Sequence, residues 1–159
     1  MPVSGPTEDA AATRSLHSSV PFARTLGLCV LESDADHALL RLPVADAVAN
    51  HVGGPHAGAI FTLGEAAAAT VMLTRYGAWL DRFVPLAVGA QIRWIKLARS
   101  AVTALATADG ADAAVDHVEA ELAAGRRPEW ESLVVFRRES DAEVCAQMTV
   151  VLTLAPLRQ

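Results

Sequence analysis

Residues 56–75 read HAGAIFTLGEAAAATVMLTR. Pro55 directly before this stretch fits a helix start, and Gly77 just after it fits a C-cap. The reading predicts one helix from His56 to about Arg75. Between those two residues the only ionisable side chain is Glu65. A helix that is apolar on every side is buried on every side. A single sheet covers only one helix face, so the other face needs a second subunit. The run Ala66 to Ala69 also permits close approach of another backbone. The stretch therefore predicts an oligomer, at least a homodimer, with this helix near the interface. A dimer of dimers stays open.

The rest of the chain reads mostly as strand. Leu28 to Glu32 and His37 to Val44, joined by the turn residues Ser33-Asp34-Ala35-Asp36, form a hairpin-like pair. Ala45 to Pro55 is a loop punctuated by Asn50, Gly53, Gly54 and Pro55. After the long helix come strands over Val84 to Leu97, Ala101 to Thr107, Trp130 to Arg137 and Val144 to Leu154. Helical spacing interrupts them at Ala111 to Gly125, with Gly125 as the stop. Leu16 to Leu26 forms a short helix with Pro21 near its first turn. Residues 1–15 form a frayed leader, and 16–157 make one domain. Strands joined by short turns pair antiparallel, and an antiparallel sheet has an apolar face that must be covered. Only the long helix is big enough to cover it. The fold class is α+β, a sheet wrapped around one central helix.

Composition narrows the function. The 159 residues are 52% hydrophobic and 19% charged, with mean hydropathy +0.30. That excludes a disordered chain. No apolar run reaches a bilayer span without a charge or a breaker, because Glu65 interrupts the longest one, so no membrane partner is expected. The net charge of −5 argues against nucleic acid, which demands a basic footprint. Twelve Arg against one Lys, together with abundant Ala, fit a GC-rich bacterial genome. Cys29 and Cys145 sit in apolar, strand-like stretches and read as reduced core residues. No Cys, His and carboxylate cluster has metal-ligand spacing, so neither metal nor cofactor is expected. The N-terminal residues have no apolar h-region, and the expected location is the cytoplasm.

Two features of the long helix point to chemistry. A carboxylate at position 65, flanked at helical spacing by Phe61, Thr62, Ala68, Ala69 and Met72, is desolvated, which raises its pKa. Such a group is either a structural carboxylate that reaches solvent or an Arg, or a general base or nucleophile. The glycine-rich segment Gly53-Gly54-Pro55-His56-Ala57-Gly58 opens the helix. The first-turn amides of Ala57 and Gly58 lack intrahelical acceptors, and with the helix dipole they suit an oxyanion. The alternative is an ordinary helix start. Eight residues separate Ala57 from Glu65, about 12 Å along one helix. One helix cannot bring both to one carbon, whereas two antiparallel helices across a two-fold axis can. His56 either orients a carbonyl or is a polar helix-start residue. Asn50 either holds a water or carbonyl or is a turn residue.

Asn50 and the run His56-Ala57-Gly58-Ala59-Ile60-Phe61-Thr62-Leu63-Gly64-Glu65 resemble the HGG-x-x-F-T-L-A-D signature of hotdog-fold thioesterases of the PaaI type. The closest resemblance is to a thioesterase-like hotdog branch of unknown function that also has HAG for HGG and Glu for Asp. The resemblance spans about Val20 to Pro156 and implies hydrolysis of an acyl-CoA or related acyl thioester. Carried over, Glu65 activates water or acts as nucleophile, and the Ala57 amide polarises the thioester carbonyl. His56 and Asn50 position carbonyl and water. Gly58, Phe61 and Met72 line the substrate site, and Arg93 and Lys96 are candidates for recognising the coenzyme A. The chain departs from the signature: Ala57 adds a methyl, Glu65 adds a methylene, and Ala87 and Gly89 lack the hydroxyl that some such enzymes set opposite the acid. The helix at Ala111 to Gly125 is an insertion. Two rivals remain, a non-catalytic acyl-CoA or lipid binder and a hydroxyacyl dehydratase. The dehydratase needs a His facing the acid, whereas His56 stands at a helix start.

Overall fold

The computed structural model describes residues 7–157. The chain begins with two short helices, α1 (Ala10–Ser19) and α2 (Pro21–Thr25). A hairpin of β1 (Cys29–Ser33) and β2 (His37–Leu42) leads to the long helix α3 (Ala57–Arg75). Then follow β3 (Phe83–Trp94), β4 (Val102–Thr107), α4 (Val115–Ala123), β5 (Glu129–Arg138) and β6 (Val144–Pro156). All six strands join one antiparallel sheet in the order β1-β2-β4-β5-β6-β3. This is the expected α+β arrangement, with α3 laid across one sheet face.

Several local expectations need correction. Residues 10–15, expected to fray, begin α1, because the Asp9 carboxylate caps the Ala11 and Ala12 amides. The earlier part of the expected leader, residues 1–6, lies outside the described residues. The single helix expected over Leu16 to Leu26 is two helices, since Pro21 cannot continue a helix and instead starts α2. Gly77 is not the C-cap of α3. Tyr76 closes the helix, and Gly77 opens a single 3-10 turn. The insertion begins with a 3-10 turn, Ala111–Ala113, before α4. There Gly125 does end the helix, with a positive φ that favours glycine.

One connection is not legible from local turns. β3 does not pair with β4. It crosses to the far edge and pairs along its length with β6. As an edge strand it has no second neighbour among the described residues, and its residues from Leu86 to Gln91 are exposed.

The core forms where α3 meets the inner sheet face. Ala59, Ile60, Leu63, Ala67, Val71 and Met72 are buried there against strand residues such as Leu40, Ala104, Phe136 and Leu152. Gly64 is the closest point. A Cβ at that position would overlap the Phe136 ring and the Met148 sulfur. The helix end is tied down by Arg75, whose guanidinium donates to the carbonyls of Ala35, Ala108 and Ala113 and to Asp36. The Tyr76 hydroxyl donates to the Ala113 carbonyl as well. One carboxylate does not disqualify α3 as a bilayer span by length and composition, contrary to the expectation drawn from Glu65; its mean hydropathy is 1.4. Its packing against the sheet makes it a core helix here.

Gly64→Leu is expected to destabilise the fold by about 3 kcal/mol or more, because overpacking a tight contact displaces both neighbours. Gly110→Leu, with open space around its Cβ, serves as the control, with a change of about 0.5 kcal/mol or less. Equal thermal melting points for the two variants would refute the contact's importance.

Candidate active site

The sheet covers α3 on one side only. Phe61, Thr62, Glu65, Ala69 and Leu73 are partly exposed and follow one another at helical spacing along the opposite side. The helix is thus apolar all round, yet buried only on its sheet face within one chain. The Thr62 hydroxyl on this open side donates to the Gly58 carbonyl within the helix. Glu65 has no hydrogen bond or ion pair among the described residues. Burial among its apolar neighbours pushes its carboxyl above the ordinary glutamate range, with no cation to offset the shift.

The start of α3 is organised by two polar side chains. His56 is its N-cap, and the Nδ1 atom accepts the Gly58 N–H at 3.0 Å. An accepting Nδ1 places the proton of a neutral imidazole on Nε2. The Gly58 amide is therefore engaged, and the Ala57 N–H is left without an acceptor among the described residues. Of the two amides expected to serve an oxyanion, only that of Ala57 is available. Asn50 holds the preceding loop: its Oδ1 accepts from Val52 and Gly54, and its Nδ2 donates to the Pro55 carbonyl. The side chain thus acts within the loop, the turn alternative of the sequence reading. Gly54 lets this loop lie directly on the Ala98 backbone, where a Cβ would collide with the carbonyl.

These contacts frame a cleft of about 340 Å³ between Ala57 and Ile60 of α3, Asn50 and Pro55 of the loop, and the segment Trp94 to Ala98. Its walls are mainly apolar, and Trp94 is 51% exposed. Lys96 lines the cleft, paired with Glu143. Phe61 shares the open side of α3 with Glu65. Met72, expected to line a substrate site, is buried in the core against the sheet. Arg93 pairs in register with Gln147, between the inward Ala146 and Met148. It therefore projects from the outer sheet face, away from α3, and lines a separate groove of about 600 Å³. Neither Ala87 nor Gly89 of β3 brings a hydroxyl. Local sequence reading does not single out the roles of Gly54 and the 94–98 segment. The Gly53-Gly54 pair is the available signal, but the backbone it packs on lies far along the chain, beyond α3 and β3.

The raised carboxyl of Glu65 has a defined sign for stability. Below the unfolded pKa both states are protonated, and burial carries no charge penalty. As pH rises through the unfolded and then the folded pKa, the penalty grows to its full size. Glu65→Gln is expected to melt at a higher temperature than the parent chain at about pH 7.5, and the gap should close at about pH 4. A gap that is constant across this range would contradict the desolvation argument.

Comparison with known proteins agrees with this architecture. The family model for a domain of unknown function, DUF4442, matches residues 9–154. No curated protein sequence matches. Among solved structures, a protein from Pseudomonas aeruginosa whose name calls it a probable thioesterase superposes with a TM-score of 0.79 at 24% identity, covering 96% of this chain and 98% of its own. A mutant thioesterase from the same organism gives 0.72 at 16% identity, covering 91% and 94%. Zebrafish thioesterase superfamily member 2 gives 0.69 at 16% identity, covering 91% and 94%. With its central helix laid across a single antiparallel sheet, the chain has the hotdog fold, and it belongs to the DUF4442 family.

Proposed function

We propose that this chain hydrolyses an acyl thioester of the coenzyme A type, at a site formed between two copies. The observation that carries the reading is that Glu65, half-buried, and the Ala57 N–H on the same helix both lack a partner among the described residues. The two lie too far apart to meet within one chain. The exposed edge of β3, with Leu86 and Val88 unpaired, offers a second copy a strand to extend. A two-fold pairing there would set one α3 beside its partner's α3. The thioesterase names of similarly folded proteins support the same reaction class.

In this reading the Glu65 carboxylate takes a proton from water as the water oxygen attacks the thioester carbonyl carbon. The Ala57 N–H of the other copy, backed by the helix dipole, holds the oxyanion. When the tetrahedral adduct collapses, the carbon–sulfur bond breaks, and the leaving thiolate takes the proton held by Glu65. A raised pKa makes the carboxylate a stronger base than a free one. The apolar side chains of Trp94, Ile95 and Leu97 along the cleft suit the apolar parts of the substrate. His56 fixes the first turn that carries Ala57, and Lys96 stands at the cleft beside it.

Two substitutions test the roles separately, with free thiol release measured across a panel of acyl-CoAs. Glu65→Gln is expected to lower kcat by about 10²–10⁴-fold. Ala57→Pro removes the N–H, at a first-turn position where proline is well tolerated. The preceding His56 already has the extended backbone that proline requires of its neighbour. Its expected loss is about 10²–10³-fold in kcat with an unchanged melting temperature. The acid limb of the parent's pH–rate profile should lie above the ordinary carboxylate range. Parent chain that binds acyl-CoA yet releases no thiol would mean a binding protein instead. Full activity in Glu65→Gln would end the catalytic assignment.

A further inference from the structure

The cleft wall formed by Trp94 to Ala98 has little regular structure of its own. β3 ends at Trp94, and residues 95–98 form neither strand nor helix. Two backbone bonds attach the near end, from the Ile95 and Lys96 N–H groups to the Cys145 carbonyl. Further along, the hold comes from Arg138 at the end of β5. Its guanidinium donates to the Leu97 carbonyl at 3.1 Å, and among the described residues no other side chain hydrogen-bonds the backbone of 95–98. The same guanidinium donates to Glu143 at 2.8 Å, and that carboxylate also holds the Lys96 ammonium. Arg138 thus grips the wall twice, directly at Leu97 and through Glu143 at Lys96.

An isolated surface ion pair holds little, but a network built on a bidentate Arg–carboxylate pair is stiffer. Arg138 bonds both oxygens of Asp141, through Nε and one terminal nitrogen, and this fixes the guanidinium plane beside Leu97. A lysine ammonium has no such fork. The pair with Asp141 closes the turn between β5 and β6, whereas the bonds to Leu97 and Glu143 reach the cleft wall. The other end of that wall carries the loop ahead of α3, since Gly54 lies directly on the Ala98 carbonyl. The loop runs through Pro55 and His56 into the first turn that holds Ala57. The placing of the wall therefore sets the width of the cleft. Arg138 itself does not line the cleft. We propose that Arg138 is a positioning residue, which sets the 94–98 wall from outside and so tunes how well the cleft binds its substrate. The identity of that substrate rests on the thioester reading above; the hold on the wall does not.

Amide hydrogen exchange on the free full chain, resolved by NMR, tests the hold on the wall. Arg138→Met is expected to speed exchange at Ile95 and Lys96 about ten-fold, the worth of one charged hydrogen bond, with the amides in the middle of β5 and β6 unchanged. Arg138→Lys keeps the charge without the fork and should lose the same protection. Asp141→Asn weakens the turn pair alone and should exchange like the parent. With acyl-CoA as substrate, Arg138→Met should raise KM about 3–10-fold and leave kcat within about two-fold, the pattern of lost uniform binding. Parent exchange at Ile95 and Lys96 in Arg138→Met, full protection in Arg138→Lys, or faster exchange spread through β5 and β6 would each overturn the proposal. A fall in kcat with KM unchanged would do so as well. A parent that releases no thiol would end the proposed reaction and leave the exchange test standing, because exchange is read without substrate.

Discussion

Everything in this molecule depends on how closely α3 can lie on its sheet. At Gly64 the helix backbone touches the Phe136 ring and the Met148 sulfur with no side chain between. Close contact there lets Leu63, Ala67 and Val71 sink into the sheet's inner face, where they are almost fully buried. Small residues at 64 and 66–69 leave large strand residues room to interdigitate, which is how a core reaches native packing density. The same closeness fixes the rotation of the helix. Once Gly64 faces the sheet, Glu65 must point about 100° around the helix from it, to the side that the sheet leaves open.

That geometry explains why a helix with no polar stripe is stable in this fold and still carries an unsolved conflict. Its open side is neither covered nor polar. Phe61, Ala69 and Leu73 remain partly wet, and Glu65 is partly dry. In a finished structural element, a carboxylate in this setting would be paired, since an unpaired buried charge is among the largest single penalties a fold carries. The Arg at the end of the helix, Arg75, is instead committed to three backbone carbonyls and Asp36. Among the described residues no cation offsets the burial of Glu65, and its pKa is raised accordingly.

The helix, its single acid and the strand-rich remainder are legible in the sequence because each rests on local periodicity or punctuation. Asp9 is a weaker signal for the start of α1: the capping aspartate is there to be read, but the following alanines carry no apolar period. Pro21 fits the first turn of one helix in the sequence, yet in the fold it divides two. What stays hidden is long-range. Nothing near residues 83–94 says that this strand pairs with 144–156 at the far edge, because strand order is decided by crossovers and not by local turns. The same limit applies at the site. His56 and Asn50 are both visible as polar residues beside a helix start, yet their hydrogen bonds to Gly58 and to the 52–55 loop depend on backbone geometry that residue identity does not specify. Arg93 is a matter of parity: one step along β3 moves a side chain to the other face.

In the proposed reaction, the separation of Glu65 from Ala57 ties the chemistry to assembly. Both residues are fixed on one rigid helix, about 12 Å apart, and no side-chain rotation closes that distance within one chain. Any reaction that uses both groups therefore runs only in associated chains, and its rate at low concentration follows the fraction assembled. In the proposed dimer, a second apolar helix laid along Phe61, Ala69 and Leu73 would remove more water from the carboxyl and raise its pKa beyond the shift already present in the single chain. The partner's helix N-terminus would act in the opposite direction, because its positive end favours the ionised form.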